Sequence, residues 1–293
     1  MTRVSVTDIR QLKQRGEKIV MMTAYDCPTA RLVEQGGADV ILVGDTLGMV
    51  VLGYDSTLPV TMDDMVHHTK AVVRGTEHAL VVGDMPFMSY QTGWQDAMRN
   101  AARLMQETGC GAVKLEGGVR SAETVQKLVE AGIPVMGHIG LTPQSVNQLG
   151  GFKVQGKTPA AAVQLMHDAQ ALEQAGAFAI VLETIPAPLA GLLTQRLSVP
   201  TIGIGAGAGC DGQVQVFHDL LGMFDGFTPK HARRYAEVGE AIREAVKAYA
   251  RDVRRGDFPT EKESFRMDPA ALAELQPDGA ARLGRRHALG LDS

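Results

Sequence analysis

Eight short apolar runs recur along the chain, separated by longer amphipathic stretches, and this alternation limits the fold more than any other feature. The runs are almost continuously apolar, which is typical of parallel strands that are buried on both faces. The stretches between them, such as 93–109 and 158–176, end in glycine, a common residue after a helix C-terminus. The predicted strands cover residues 18–24, 39–44, 79–84, 111–117, 133–140, 178–184, 199–205 and 213–219.

Eight strands with intervening helices predict an α/β fold, a (β/α)8 TIM barrel. A doubly wound sheet is the alternative, but it needs fewer strands or a domain break, and no Pro/Ser-rich linker precedes residue 255. An extra C-terminal helix is predicted over 231–256. We expect residues 1–266 to form one catalytic domain and residues 267–293 a loosely ordered tail.

Composition excludes several classes of partner. The 293 residues are 45% hydrophobic and carry a formal net charge of −4, which argues against nucleic acid or an anionic membrane. The three cysteines are far apart and show neither zinc-ligand nor disulfide spacing. The first 16 residues lack the apolar segment of a secretory signal, and no run is long enough to span a bilayer. We therefore expect a cytoplasmic protein.

Ionisable and hydroxyl side chains stand at the ends of six successive predicted strands. In a barrel of this type the residues that follow each strand converge at one face, where chemistry takes place. In strand order they are Tyr25 and Asp26, Asp45 and Thr46, Asp84, Lys114 and Glu116, His138, and Glu183. The convergence predicts an active site at this end of the barrel.

Each of these residues also has a purely structural interpretation. Lys114 could extend along the surface, His138 could be a hydrogen-bonded core histidine, and Glu183 could cap the helix that follows it. Acids or bases on five successive strands are not easily explained in this way, so we favour a site.

Asp45, Asp84 and Glu116 offer oxygen ligands without a neighbouring cysteine. Carboxylates without thiolate or several imidazoles favour Mg²⁺ over Zn²⁺. Asp45 and Asp84 each follow a glycine, and we expect Gly44 and Gly83 to let the backbone turn tightly beside a ligand.

A second glycine-rich segment, GIGAGAGCDG at 203–212, does not match a dinucleotide-binding motif. Its glycines follow a G-x-G-x-G-x-G pattern, and an apolar strand-like run follows instead of a helix. A loop that approaches a substrate and a simple tight turn both remain open.

Long stretches of the chain resemble the ketopantoate hydroxymethyltransferase family of the phosphoenolpyruvate/pyruvate superfamily, from about residue 2 to 266. They include MMTAYDCPTA, ILVGDTLGMVVLGYDSTLPVTMDDMVHHTKAV, VVGDMPFMSY, AVKLEGG, PVMGHIGLTPQSVNQLGGFKVQGK, VLETIP, TIGIGAGAGCDGQVQVFHDLLG and FPTEKESF. The resemblance implies a (β/α)8 barrel, a Mg²⁺ site and a homodecamer of two pentameric rings. It also implies hydroxymethyl transfer from 5,10-methylenetetrahydrofolate to 3-methyl-2-oxobutanoate, giving ketopantoate.

The resemblance also implies a role for each site residue. Asp45, Asp84 and Glu116 match the family's metal residues, and Glu183 matches its general base. Asp45, Thr46, Asp84, Lys114 and His138 match positions at the substrate; Thr46 replaces a frequent serine and keeps the hydroxyl.

Three other functions stay open on the sequence. One is a Mg²⁺-dependent C–C lyase or mutase that acts on an α-keto acid. Another is a class I aldolase in which Lys114 forms a Schiff base. The last is a non-catalytic scaffold built on the same barrel.

Overall fold

Residues 3–223 and 229–275 are described by a computed structural model of the chain, and within them eight parallel strands close into a barrel. Each strand pairs with its sequence neighbours, and the last pairs with the first. The strands are β1 (Ile19–Thr23), β2 (Val40–Val43), β3 (Leu80–Asp84), β4 (Ala112–Glu116), β5 (Val135–Gly140), β6 (Ala179–Glu183), β7 (Thr201–Ile204) and β8 (Gly212–Gln215). The predicted TIM barrel is confirmed.

Helices occupy most of the connections between strands. In the described residues they are α1 (Val6–Arg15), α2 (Cys27–Gln35), α3 (Leu47–Val50), α4 (Met62–Gly75), α5 (Trp94–Thr108), α6 (Val119–Glu130), α7 (Val146–Leu149), α8 (Pro159–Gln174), α9 (Ala187–Arg196), α10 (Phe217–Leu220), α11 (Val238–Arg255) and α12 (Pro269–Glu274). A 3₁₀ turn, Pro143–Ser145, precedes α7. Capping boxes at Ser5 and Thr61 fix the starts of α1 and α4, because each hydroxyl bonds an otherwise unpaired backbone N–H.

The inside of the barrel changes from apolar to charged towards the carboxyl ends of the strands. Side chains alternate between the two faces of a strand, so the inward positions of β3 are Leu80, Val82 and then Asp84. In β6, Val181 is followed in the same way by Glu183. The apolar members pack together in the barrel interior, and the acids lie one layer above them. The strand period therefore directs the charged residues towards the barrel axis.

Helix α1 supplies apolar side chains to the interior. Ile9 is fully buried in the same cluster as Ile19 and Met21 of β1, and Val6 packs against that cluster. The interior is thus a packed core from its amino end up to the charged layer.

The chain turns directly after Gly44, whose carbonyl accepts from the Leu47 amide, but neither glycine before the two aspartates supplies the special backbone freedom that we expected of it. Neither Gly44 nor Gly83 has a positive φ. Gly83 faces outward, where an added Cβ would lie 3.3 Å from Leu104 of α5. The space beside Gly44 would accept a Cβ at ordinary contact distances. Gly83 therefore allows close helix–strand packing, and nothing in the structure requires Gly44.

The glycine-rich segment 203–212 forms the connection from β7 to β8, which contains no helix. Gly207 has φ +78°, and an added Cβ there would lie 2.4 Å from Ala187 of α9. A Cβ on Gly209 would lie 3.1 Å from Gly191 of the same helix. The glycines thus permit the close approach of two backbones, and the absence of a helix agrees with the strand-like run that the sequence predicts directly after the segment.

Two predicted boundaries are corrected by the structure. Strand β8 is Gly212–Gln215 and not 213–219. It ends early because helix α10 begins at Phe217, whose amide donates to the Thr23 hydroxyl and not to a neighbouring strand. The C-terminal helix begins at Val238 and not at 231, because the amides of Tyr235 and Val238 donate to the carbonyls of Leu220 and Leu221.

The described chain divides into two compact units, one up to Gly239 and one from Glu240. The second unit contains most of α11, and α12 within the predicted tail. Residues 276–293 lie outside the described part of the chain, so the loose order of the tail and the domain boundary at 266 stay predictions. No helix among the described residues is both long and apolar enough to cross a bilayer.

Ile9 of α1 seals the amino end of the barrel interior. We expect Ile9→Ala to destabilise the protein by about 2–5 kcal/mol, because it leaves a cavity there. Urea unfolding followed by circular dichroism measures the change. Leu32→Ala on α2 is the control; Leu32 is 62% exposed, and its loss should change stability by less than about 0.5 kcal/mol. Equal effects of the two substitutions would contradict the sealing role of Ile9.

Candidate active site

The charged layer lines a cavity of about 50 Å³ at the carboxyl ends of the strands. The structure brings together all seven residues that the sequence assigned to the site: Asp45, Thr46, Asp84, Lys114, Glu116, His138 and Glu183. Apolar side chains such as Leu42, Val181 and Ile204 form the floor of the cavity. The predicted convergence is therefore present in the fold.

Asp84 and Lys114 form a buried ion pair across neighbouring strands. They are register partners in β3 and β4, and Lys114 Nζ lies 2.9 Å from Asp84 Oδ1. At this distance the two groups form a charge-assisted pair, and each carboxylate oxygen has a further lone pair for another ligand. Burial alone would lower the pKa of Lys114, but the nearby charges of Asp84, Glu116 and Asp45 raise the pKa above its ordinary value. Lys114 is accordingly a fixed positive charge.

Asp45 lies beside this pair, and its backbone N–H donates to Asp84 Oδ2 at 3.3 Å. Burial first, and then the neighbouring charges of Asp84 and Glu116, raise the pKa of Asp45 well above its usual range. Burial likewise raises the pKa of Asp84, although Lys114 opposes the shift. The positive charge of Lys114 is thus not enough to balance the negative charges of Asp45 and Asp84.

His138 connects the remaining two acids. Its Nε2 lies 3.1 Å from Glu183 Oε2, and its Nδ1 lies 3.4 Å from both Glu116 Oε1 and Lys114 Nζ. Burial and Lys114 lower the pKa of His138, but the two glutamates outweigh them and bring the pKa to about 9. All of these neighbours belong to the site, so the interpretation of His138 as an ordinary core histidine does not hold.

Glu183 ends β6 with its side chain about 16% exposed, more than the other acids of the cluster. The chain turns sharply after it, since Thr184 adopts a left-handed φ of 50°. Helix α9 begins after Pro186 without any side-chain cap, so Glu183 is not a helix cap. The carboxylate instead faces the cavity and His138.

Thr46 is half-buried at the start of α3, and its hydroxyl makes no capping bond there. It lines the cavity. Asp26, by contrast, accepts hydrogen bonds from the amide and hydroxyl of Thr29 and caps α2. Tyr25 is buried next to it, and neither residue lines the cavity.

Gln144 is a site residue that the sequence reasoning missed. Its Nε2 donates to Asp45 Oδ2 and to the Met85 carbonyl, each at 2.9 Å. Its backbone N–H donates to Glu116 Oε2 at 3.2 Å. One buried residue thus fixes two of the acids, and its only sequence signal is its place at the end of GHIGLTPQ.

Tyr90 completes this hydrogen-bonded network. Its hydroxyl donates to Gln144 Oε1 at 2.6 Å and accepts from the Glu116 backbone N–H at 3.1 Å. Burial, and then the charge of Glu116, raise the pKa of Tyr90 well above its usual range, so the hydroxyl stays a donor. The only sign of this residue in the sequence is its place at the end of the stretch VVGDMPFMSY.

The chemistry of the cluster fits a hard divalent cation. If Glu183 and His138 form one neutral pair, the carboxylates of Asp45, Asp84 and Glu116 face the single positive charge of Lys114. Two formal negative charges then remain uncompensated, and every free donor atom on the three acids is an oxygen. As they stand, no three acidic, histidine or cysteine side chains in the described part of the chain lie close enough around one point to hold a metal ion, although the three acids line one cavity.

Comparisons with known proteins identify relatives over most of the chain. Residues 3–261 match the family model described as ketopantoate hydroxymethyltransferase. A 3-methyl-2-oxobutanoate hydroxymethyltransferase of Dehalococcoides mccartyi is 60% identical over 274 residues, which cover 94% of this chain and 97% of the relative. A protein of the same name from Chloroflexus aurantiacus is 59% identical over 271 residues, 92% of this chain and 96% of the relative.

Solved structures share the barrel at low sequence identity. Phosphonopyruvate hydrolase in complex with oxalate and Mg²⁺ has a TM-score of 0.58 at 15% identity, covering 98% of this chain and 99% of the other. 2,3-Dimethylmalate lyase, of the PEP mutase/isocitrate lyase superfamily, has a TM-score of 0.58 at 18% identity, with the same coverage. These likenesses concern the fold. The family match and the two relatives show that the chain belongs to the ketopantoate hydroxymethyltransferase family and is a transferase enzyme.

Proposed function

We propose that the protein transfers a hydroxymethyl group from 5,10-methylenetetrahydrofolate to 3-methyl-2-oxobutanoate, with Mg²⁺ as cofactor. In the net reaction the keto acid loses its C3 proton and gains a C3–CH₂OH bond. The folate supplies the carbon, water supplies the hydroxyl, and tetrahydrofolate leaves. The observation that carries the proposal is the buried cluster of Asp45, Asp84, Lys114 and Glu116, which lines one small cavity together with the partly exposed Glu183.

The keto acid is an anion, and Lys114 is the buried fixed cation of the cavity. Its ammonium group would attract the substrate carboxylate, with the Thr46 hydroxyl as a further donor. The floor of Leu42, Val181 and Ile204 suits the branched apolar end of 3-methyl-2-oxobutanoate. Charge at one side and apolar contact at the other would fix the orientation of the substrate.

Asp45, Asp84 and Glu116 would hold Mg²⁺, with oxygens of substrate and water completing its shell. When bound, the ion withdraws electron density from the keto group and so acidifies the C3 proton. Gln144 supports this role because it holds Asp45 and Glu116 at once. The uncompensated charge and the oxygen-only donors are what favour the assignment.

Glu183 would remove the C3 proton as general base. Its carboxylate lines the cavity and is partly accessible to solvent, so the proton has a route away from the site. His138, 3.1 Å away, would orient it and balance its charge, and so acts as a positioning residue.

The Schiff-base alternative is disfavoured by the electrostatics of Lys114. An amine must be deprotonated to attack a carbonyl, whereas the surrounding carboxylates raise the pKa of this lysine. A C–C lyase or mutase shares the barrel and the keto-acid chemistry, and turnover with and without tetrahydrofolate separates it from the transferase. A complete acid cluster argues against a non-catalytic scaffold.

We further propose a cytoplasmic homodecamer. Within the second unit, α11 carries an exposed apolar stripe of Ile242, Val246, Tyr249 and Val253 at helical spacing, which suits a contact with another copy.

We expect sedimentation equilibrium to give a mass near ten times the 31.3 kDa of one chain. Tyr249→Glu should lower this mass, since it places a charge in the apolar stripe. Glu261→Gln, at an exposed position of the same unit, is the control. A monomer from the unmodified protein at micromolar concentration would refute the assembly.

We expect Asp84→Asn to weaken Mg²⁺ binding at least about 10-fold, because it removes a charged ligand. Calorimetric titration of Mg²⁺ without substrates measures the affinity, and EDTA should abolish turnover of the unmodified enzyme. Asp26→Asn is the matched control, since asparagine also caps a helix. If Asp84→Asn binds Mg²⁺ normally, the ligand assignment fails.

We expect Glu183→Gln to slow exchange of the substrate's C3 proton with deuterated solvent by about 10²–10⁴-fold. The substitution is nearly isosteric, so folding and Mg²⁺ affinity should not change. Proton NMR of the keto acid follows the exchange without any folate. Glu130→Gln, on the exposed face of α6, should exchange at the unmodified rate. Wild-type exchange in Glu183→Gln would assign the base to another residue.

A further inference from the structure

Thr184, the residue directly after Glu183, has a backbone conformation that a β-branched residue rarely adopts. Its φ is 50°, in the left-handed region, and among the described non-glycine residues only Met88 also has a positive φ. The branched side chain crowds the backbone in this region, so the conformation persists only where the surrounding structure holds it. A strained residue therefore lies next to the proposed general base.

The peptide unit between Glu183 and Thr184 is hydrogen-bonded to both neighbouring strands of the barrel. The Glu183 carbonyl accepts from the Leu141 N–H at 2.9 Å, directly after β5. The Thr184 N–H donates to the carbonyl of Ile204, the last residue of β7, at 2.8 Å. The plane of this peptide cannot rotate unless one of the two bonds breaks.

Two glycines allow other segments to close on this peptide unit. Gly140 has φ +96°, and an added Cβ there would collide with the Glu183 carbonyl oxygen. On the other side, the Thr184 carbonyl accepts from the Gln155 N–H at 3.0 Å. Gly156 follows with φ +75°, and an added Cβ there would lie 2.8 Å from a leucine of α9. The connection between α7 and α8 thus packs directly on Thr184.

The hydroxyl of Thr184 takes no part in holding this conformation. Its Oγ1 is buried and has no hydrogen-bond partner within the described part of the chain. The backbone bonds hold the conformation, and the side chain contributes stiffness, because a branched Cβ restricts the backbone far more than glycine does.

Glu183 depends on its backbone for its position more than the other acids of the cluster do. Within the residues that the structure describes, its carboxylate has one side-chain partner, the His138 ring at 3.1 Å. Gln144 bonds Asp45 and Glu116 in addition. Since proton transfer is sensitive to displacements of about 1 Å, the backbone that carries a loosely held base must itself be fixed.

We propose that Thr184 is a positioning residue for Glu183. Its left-handed conformation, bonded to Leu141, Ile204 and Gln155 through the adjoining peptide groups, fixes the backbone from which the base extends into the cavity. The same turn ends β6 and directs the chain towards α9. The assignment rests on the proposed function, since it takes Glu183 as the group that removes the C3 proton.

Thr184→Gly tests the proposal, because glycine keeps the left-handed region accessible and removes the stiffness. We expect kcat for exchange of the C3 proton, followed by proton NMR in deuterated solvent, to fall about 10-fold. The KM for the keto acid and the calorimetric Mg²⁺ affinity should change less than about 2-fold, since the loss concerns only the proton transfer. The melting temperature should not fall by more than about 2 °C, because glycine also relieves the strain.

Two control variants isolate the cause. Thr184→Val keeps the branched shape and loses only the hydroxyl, so it should exchange the proton at the unmodified rate. Met88→Gly makes the same kind of change at the other left-handed position, which is 51% exposed, and should also leave exchange unchanged.

An unmodified kcat in Thr184→Gly would overturn the positioning role. So would an equal loss in Thr184→Val, which would assign the effect to the hydroxyl, or a loss of stability in step with the loss of rate, which would make Thr184 merely structural. Glu183→Gln separates this proposal from the proposed function. If Glu183→Gln exchanges at the unmodified rate, the base assignment fails, and Thr184 has no base to position. If Glu183→Gln loses exchange and Thr184→Gly keeps it, only the role of Thr184 fails.

Discussion

The burial of like charges at one end of the barrel is the constraint on which the rest of the site depends. Asp45, Asp84 and Glu116 lie out of water within one layer, and an isolated buried carboxylate is strongly disfavoured. Lys114 offsets part of this cost through its contact with Asp84, and His138 offsets more between Glu116 and Glu183. The charge that remains is the physical basis of the proposed binding of a cation together with an anionic keto acid.

A neutral hydrogen-bond network keeps these charges in place. Gln144 donates to Asp45 through its side chain and to Glu116 through its backbone, and Tyr90 bonds both Gln144 and the backbone of Glu116. Because none of these donors is an ionisable cation, they orient the acids without neutralising them. The acids can thus be held rigidly and still keep their negative charge for a metal ion.

The same layer also borders a second, larger space, a cleft of about 690 Å³ beside the charged cavity of about 50 Å³. Glu116 has one face towards the cavity and one towards the cleft, and Gln144 lies beside it.

The sequence by itself determined the fold and the direction of most of the site residues. Strand periodicity places Asp84, Lys114, Glu116, His138 and Glu183 inward, because each continues an alternation that begins with core residues. Tertiary structure decided what no local pattern encodes. Gln144 and Tyr90 reach the acids from the connections that follow β5 and β3, Gly83 serves the packing of α5, and the glycines of 203–212 allow close packing against α9. These features depend on contacts between segments far apart in the chain, whereas alternation within a strand is a local property of the backbone.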